Sequence, residues 1–216
     1  MSQDYDRYWD EKRGRGLGRL SDWQQARADI VSAYLKHDQG LSIADIGCGD
    51  GSILRYIGER VSVSEMVGYD ISTKALSKAN DFGIKGYQFD INNPDYYYQL
   101  QEIDYCLMLE VLEHTIQSEK LLGAAYSSSR KGVFFSIPNS GFYFYRLRLL
   151  FGKFPAQWRI FPNEHVRFWT LSDLRWWLNA LDYKGYTIHA YKGIPVLNKI
   201  WPALFAAALV VYLPKK

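Results

Sequence analysis

Cysteine is scarce: Cys48 and Cys106 are the only two in 216 residues. They stand far apart with no CxxC spacing. That argues against a disulfide scaffold or a thiolate zinc site and fits a reduced, cytoplasmic setting. Charge of one sign is lacking too. Lys and Arg total 26 against 23 Asp and Glu, a formal net charge of +3, too small by itself to indicate a nucleic-acid partner. Residues 1–9 are polar and aromatic, so no signal peptide is visible. No apolar run reaches the roughly 20 residues that a spanning helix needs. The nearest, residues 196–213, carries Asn198, Lys199 and Pro202, and its uninterrupted part, 203–213, has 11 residues. It is expected to be a buried terminal strand, and no transmembrane segment is expected. Repeats and low-complexity tracts are absent. The length suits one sizeable core and a single domain over residues 1–216.

What is present is alternation. Ser21 with Gln24 makes a capping box, and Trp23, Ala26, Ile30, Ala33 and Tyr34 follow at helical spacing. Beyond Gly40, strands are expected over residues 41–46, 66–69, 86–89, 105–109, 132–137, 186–191 and 206–213. Helices are expected over 52–59, 72–80 (capped by Ser72), 118–128 and 171–181 (capped from Thr170). This predicts an α/β fold with a mostly parallel sheet, helices on both faces and a ligand at the carboxyl ends of the strands. Two stretches break the rhythm. Residues 1–20 are charged and carry Gly14, Gly16 and Gly18, and they read as a mobile arm or a lid over the ligand. Residues 139–169 hold ten aromatics, five basic residues and one acid, Glu164. Insertions of that length in compact domains are often functional.

The stretch "SIADIGCGDGSILRYIG" joins the first strand to a helix through Gly47, Gly49 and Gly51. Glycines there allow a tight turn and close approach of backbone to ligand. The third glycine falls one place early for a dinucleotide fingerprint, and the lysine of a P-loop is missing. Acids crowd the strand ends instead: Asp45 and Asp50 flank the turn, Asp70 ends the second strand, Asp90 the third and Glu110 the fourth. Carboxylates repel a pyrophosphate and favour a nucleoside with a cationic substituent. Asp70 also stands where an acid accepts hydrogen bonds from ribose hydroxyls.

"DIGCGDG" resembles the first motif of class I S-adenosylmethionine-dependent methyltransferases. "VGYDIS" and "YQFDI" are similar to that family's ribose-side and adenine-side acids, and "DYCLMLEVLEH" to its fourth-strand motif. The resemblance spans about residues 41–139 and implies a Rossmann-like fold with a seven-stranded, mostly parallel sheet. It implies S-adenosylmethionine as cofactor, with Asp45, Gly47, Cys48, Gly49 and Gly51 around the methionine portion. Asp70 would hold the ribose, Ile71 pack on the adenine, Asp90 lie near its amino group, and Glu110 and Val111 close the pocket. The second half, "SIPNSGFYFYRLRLLFGKFP" followed by "NEHVRFWTLSDLRWWLNALDY", is similar to the MetW-type branch. That likeness implies, as an alternative to an enzyme acting on a small molecule, a cofactor-binding partner subunit in methionine biosynthesis.

Methyl transfer from a sulfonium needs an aligned nucleophile, exclusion of water and, for a protonated acceptor, a base. His114 and His165, each preceded by a glutamate, are the candidates to contact the acceptor. Asn139, after the fifth strand and Pro138, is expected to face the cleft and orient the acceptor. No metal site is expected, since no cluster has ligand spacing along the chain. The amino-methyltransferase signature, Asn/Asp-Pro-Pro-aromatic, is replaced by Leu109-Glu110-Val111-Leu112, which favours oxygen or carbon acceptors. The insertion at 139–169 reads as a lid over an anionic or amphipathic acceptor, as a docking surface for a partner protein, or as an extra apolar layer.

Overall fold

A computed structural model describes Asp6, Trp9 and residues 17–155 and 164–215. The rest of the expected N-terminal arm, and residues 156–163 of the insertion, lie outside the described residues.

The chain runs α1 (Asp22–Leu35), β1 (Leu41–Ile46), α2 (Ser52–Gly58), β2 (Val63–Asp70), α3 (Thr73–Asp81) and β3 (Lys85–Gln88). A 3-10 turn, Pro94–Gln99, leads to β4 (Ile103–Leu109), and a second, Leu112–His114, leads to α4 (Ser118–Ser128) and β5 (Ser129–Pro138). Then come α5 (Tyr143–Leu150), α6 (Leu171–Ala180), β6 (Thr187–Tyr191), α7 (Leu197–Ile200), α8 (Pro202–Phe205) and β7 (Ala208–Pro214). The seven strands form one sheet in the order β3-β2-β1-β4-β5-β7-β6. β1 to β5 pair in parallel, and β7 runs antiparallel to both of its neighbours. The order reverses between β1 and β4, and that switch point opens a crevice at their carboxyl ends.

Period-two alternation sorts the core into two layers. Tyr105, Leu107 and Leu109 of β4 pack with Val31, Leu35, Leu54 and Ile57 from α1 and α2. Cys106 and Met108 face the other way, onto Leu121 and Leu122 of α4 and Leu174 and Leu178 of α6. Helices therefore cover both faces, as the alternation predicts. The expected caps form as well: Ser21 with Gln24 closes a reciprocal capping box, Ser72 caps α3, and Thr170 with Asp173 caps α6.

Two expectations need correction. The buried face of α1 comprises Arg27, Ala28, Val31, Ser32 and Leu35, one position on from the expected stripe, and Trp23 and Ala33 are exposed. Helical spacing gives a period but not a phase, and the sheet selects the phase. Residues 196–213 are also not one strand. α7 and α8 occupy the first part, with Val196, Ile200 and Trp201 exposed, and only β7 is buried. Pro202 starts α8 at a position where its missing N–H is harmless. No described helix is long and apolar enough to cross a membrane.

Candidate functional site

The glycine turn leaves β1 at the switch point. Gly47, Gly49 and Gly51 all have positive φ, +74°, +55° and +74°, a region that glycine enters without steric cost. The N–H groups of Gly47 and Cys48 donate to the Tyr69 carbonyl, which folds the turn over the end of β2. Gly49 N–H donates to Asp70 Oδ2 at 2.8 Å, and Ser72 N–H donates to Asp70 Oδ1 at 2.9 Å. Burial pushes the Asp70 carboxyl up from its ordinary value, against the pull of those N–H bonds. Each of its oxygens keeps a lone pair for a hydroxyl donor.

A cavity of about 200 Å³ lies beyond the turn. Gly47, Gly49, Asp70, Ile71, Asp90, Glu110, Val111 and His114 line it, so eight of the expected site residues come together there. Phe89, Ile91, Asn92 and Glu164 also line it, as does Trp9, which sequence reasoning did not single out. A Cβ on Gly49 would lie 2.7 Å from Trp9 Cζ2, so the glycine lets this indole of the N-terminal arm sit on the turn. Asp6 fastens the arm to α3, accepting from Ser72 Oγ at 2.5 Å and from Thr73 Oγ1 at 3.3 Å.

Five expected residues do not line the cavity. Asp45 is 2% exposed and points from β1 toward the α1 face, where Arg27 lies. The Cys48 thiol turns to Gly68 on β2. Gly51 is a packing glycine: a Cβ there would lie 2.5 Å from Ile84 and 3.0 Å from Ala79. Asn139, expected in the cleft, is fully buried. Its Nδ2 reaches the carbonyls of Pro202, Ala203 and Ala206, and its Oδ1 accepts from Gly141 N–H. It pins the chain before β7 to the end of β5. His165 sits behind His114, the ring centroids 4.7 Å apart and perpendicular. Asp50, the other acid at the turn, accepts from Ser52 N–H and Oγ–H at the start of α2 and from Gly18 N–H. Of the five acids read from the strand ends, Asp70, Asp90 and Glu110 face the cavity.

Glu110 is held at φ +62°, unusual for a residue with a Cβ. The twist turns its carboxylate back onto Ser136 Oγ (3.0 Å), Tyr191 Oη (3.3 Å) and the Arg27 guanidinium (3.5 Å). Burial works against the Arg27 charge, but Glu110, Tyr191 and Glu113 together outweigh it and raise the group above its ordinary value. Arg27 is a functional candidate the sequence reading missed. Its signal was a cation one turn after Trp23 on the helix face expected to be apolar.

Glu113 and His114 follow in the 3-10 turn. His114 Nδ1 lies 2.7 Å from the Glu164 carbonyl. A carbonyl can only accept, so Nδ1 carries the proton and Nε2 keeps its lone pair when the ring is neutral. The Glu113 carbonyl accepts from Val166 and Arg167 N–H, tying the end of the insertion to the site. Burial, with His114 adding to it, lowers His165 to about 4. One ligand atom each from Glu113, His114 and His165 lies within 4.8 Å of the others. The sequence shows no ligand spacing among them, and it is the fold that brings His165 beside the adjacent pair Glu113 and His114.

A family model described as "Methyltransferase domain" matches residues 16–188. The chain belongs to the methyltransferase-domain family. Its fold is that of class I S-adenosylmethionine-dependent methyltransferases, and similar solved structures agree. Magnesium protoporphyrin IX methyltransferase from Synechocystis PCC 6803, solved with bound SAH, is 19% identical with a TM-score of 0.66, covering 98% of each chain. A SAM-dependent methyltransferase from Thermotoga maritima, described as a possible histamine N-methyltransferase, is 16% identical with a TM-score of 0.68, again over 98% of each. The small RNA methyltransferase HEN1 is 22% identical with a TM-score of 0.64. That match covers 89% of this chain and 25% of HEN1, so this chain spans about a quarter of that protein. At these identities the likeness is one of fold. No curated protein matches the chain. The wall of the methyltransferase's cleft combines glycine backbone, the carboxyl-bearing residues Asp70, Asp90 and Glu110, and the apolar side chains of Ile71, Phe89, Ile91 and Val111.

Proposed function

We propose that this methyltransferase modifies an oxygen nucleophile on a small amphipathic acceptor. When bound, S-adenosylmethionine supplies an electrophilic methyl group on a sulfonium. Asp70 accepts hydrogen bonds from the ribose hydroxyls, Asp90 and Ile71 receive the adenine, and the backbone at Gly47 and Gly49 admits the methionine portion. Trp9 closes one side of the cleft against water. The observation that carries the reading is His114. It lines the same cavity as the glycine turn, and the Glu164 carbonyl fixes its tautomer so that Nε2 is the nitrogen open to an acceptor hydroxyl. The absence of an Asn/Asp-Pro-Pro-aromatic motif supports oxygen over nitrogen. The amphipathic character is supported by the insertion: Leu149, Leu150, Phe151 and Phe154 are exposed beside Arg146, Arg148 and Lys153. The partner-subunit alternative rests on the motifs of the second half, and the cleft adds nothing specific to it.

The test is labelling. The protein, methyl-labelled cofactor and fractionated cell extract are incubated together. The label is expected in an organic-extractable product as an ether or ester, and His114→Ala is expected to lose it. Label found only on amines, or an equal yield from His114→Ala, would reject the reading.

A further inference from the structure

Beside the cofactor cavity the fold has buried a carboxylate without a partner. Glu113 is 1% exposed, and neither of its side-chain oxygens has a hydrogen-bond partner among the described residues. His165 Nδ1, also buried, has none among them either. Leaving such atoms unpaired is expensive, more so for a charge than for a neutral group. Arg27 lies close enough to act on Glu113 through the field, but its guanidinium sits on Glu110. The third member, His114, has its Nδ1–H on the Glu164 carbonyl. That is how a metal-ligating imidazole is commonly held, with one nitrogen fixed by a backbone acceptor and the other presented to the ion.

We propose that Glu113, His114 and His165 bind a divalent first-row transition metal ion. The proposal rests on the reading of the adjacent cavity as the methyl-transfer site. Bonds of about 2.1 Å place two ligands about 3.0 Å apart when adjacent and about 4.2 Å when opposite. The three ligand atoms all lie within 4.8 Å of one another, so a pair at that limit closes by about 1.8 Å to become adjacent ligands, a movement within reach of side-chain rotation. Two imidazoles and a carboxylate suit zinc, manganese, iron or cobalt better than magnesium, which takes oxygen ligands and keeps its waters. Three protein ligands leave positions open. Because His114 also lines the cavity, those positions are available to an oxygen of the acceptor. An ion bound there polarises that oxygen and favours its ionised form, which gives the two histidines a shared purpose. With the ion bound, His114 Nε2 is its ligand, and the ion takes the place at the acceptor hydroxyl that the metal-free imidazole holds in the reading above.

The test uses the full chain, stripped with chelator and titrated with Mn²⁺ in the absence of cofactor. One Mn²⁺ per chain is expected, weakened at least tenfold in Glu113→Gln and in His165→Ala. S-adenosylhomocysteine affinity, measured in parallel, reports whether each variant is folded. Should either variant fail to fold, the wild-type protein decides alone. Pulsed electron paramagnetic resonance of bound Mn²⁺ is expected to show ¹⁴N couplings from imidazole. No binding by the wild type, binding without nitrogen coupling, or equal affinity in folded variants overturns the metal site. Intact S-adenosylhomocysteine affinity in that event keeps the cofactor reading. No S-adenosylhomocysteine binding by the wild type, with metal still bound, would sink the cofactor reading instead.

Discussion

Asp45 lies on the central strand, paired through the backbone with Gly68 and Leu107, and is almost fully buried. Burial raises its carboxyl to about 8, with the Asp70 charge adding to the rise and Arg27 opposing it. The sign of the pH dependence follows. A carboxyl whose folded pKa exceeds its unfolded value of about 3.9 binds its proton more tightly in the native state. Its contribution to stability is fully present below that unfolded value. It declines as pH rises, by up to about 1.4 kcal/mol per pH unit, and is lost above about 8. Asn mimics the neutral acid. The unfolding temperature of ligand-free Asp45→Asn is therefore expected to gain on the wild type steadily from pH 5 to pH 8 and then hold its lead. Parallel curves across that range would show that Asp45 is ionised at pH 5. The motif "DIGCGDG" made this residue conspicuous, but as a ligand contact. Which face of β1 its side chain took depended on α1, and so on a helix remote from the motif.

Among the elements, the capping boxes were legible because each is written within four residues. The Ser21–Gln24 box and the Thr170 cap were read as such, the structure adds Asp173 as the partner of Thr170, and neither pair needs a tertiary contact to form. α5 was not legible, hidden in a stretch read only as an aromatic, basic insertion. None of its residues is buried. Tyr143 packs against Phe205 and Arg146 donates to the Gly141 carbonyl, while Leu149 and Leu150 are 62% and 76% exposed. Replacing Leu149 and Leu150 together by Asp removes apolar surface without disturbing the core. The expected result is an unfolding temperature within about 3 °C of the wild type, as for ordinary surface changes. The KM for an amphipathic acceptor is expected to rise about tenfold, the effect of roughly 1.4 kcal/mol of apolar contact. A fall of 8 °C or more would mean that the two leucines cover the core instead. An unchanged KM would remove α5 from acceptor binding.

For the whole molecule, the cofactor cleft exists only in the folded chain, since Gly47, Asp70, Asp90 and Glu110 come from four different strand ends. A ligand that binds only the native state stabilises it by about 2.7 kcal/mol at a hundredfold excess over its Kd. For a chain of this size that is expected to raise the unfolding temperature by roughly 5–11 °C. S-adenosylhomocysteine should produce this shift in the wild type. In Asp70→Ala the shift should nearly vanish, because the proposed ribose acceptor is gone and Gly49 N–H loses its partner. A shift of equal size in both proteins would detach Asp70 from the cofactor.

The sequence by itself determined the strand–helix alternation, the caps, the glycine turn and the acids at successive strand ends. These are local: each depends on side-chain period, on the conformational freedom of glycine, or on a hydrogen bond spanning a few residues. Only the tertiary structure decided which acids look into the cleft, that Arg27 reaches Glu110, that Asn139 holds the chain before β7, and that Glu113, His114 and His165 meet. Those outcomes depend on which faces of separate elements come together. Burial raises the proton affinity of the Asp45 and Asp70 carboxyls and lowers that of the His165 imidazole, which spacing along the chain does not reveal.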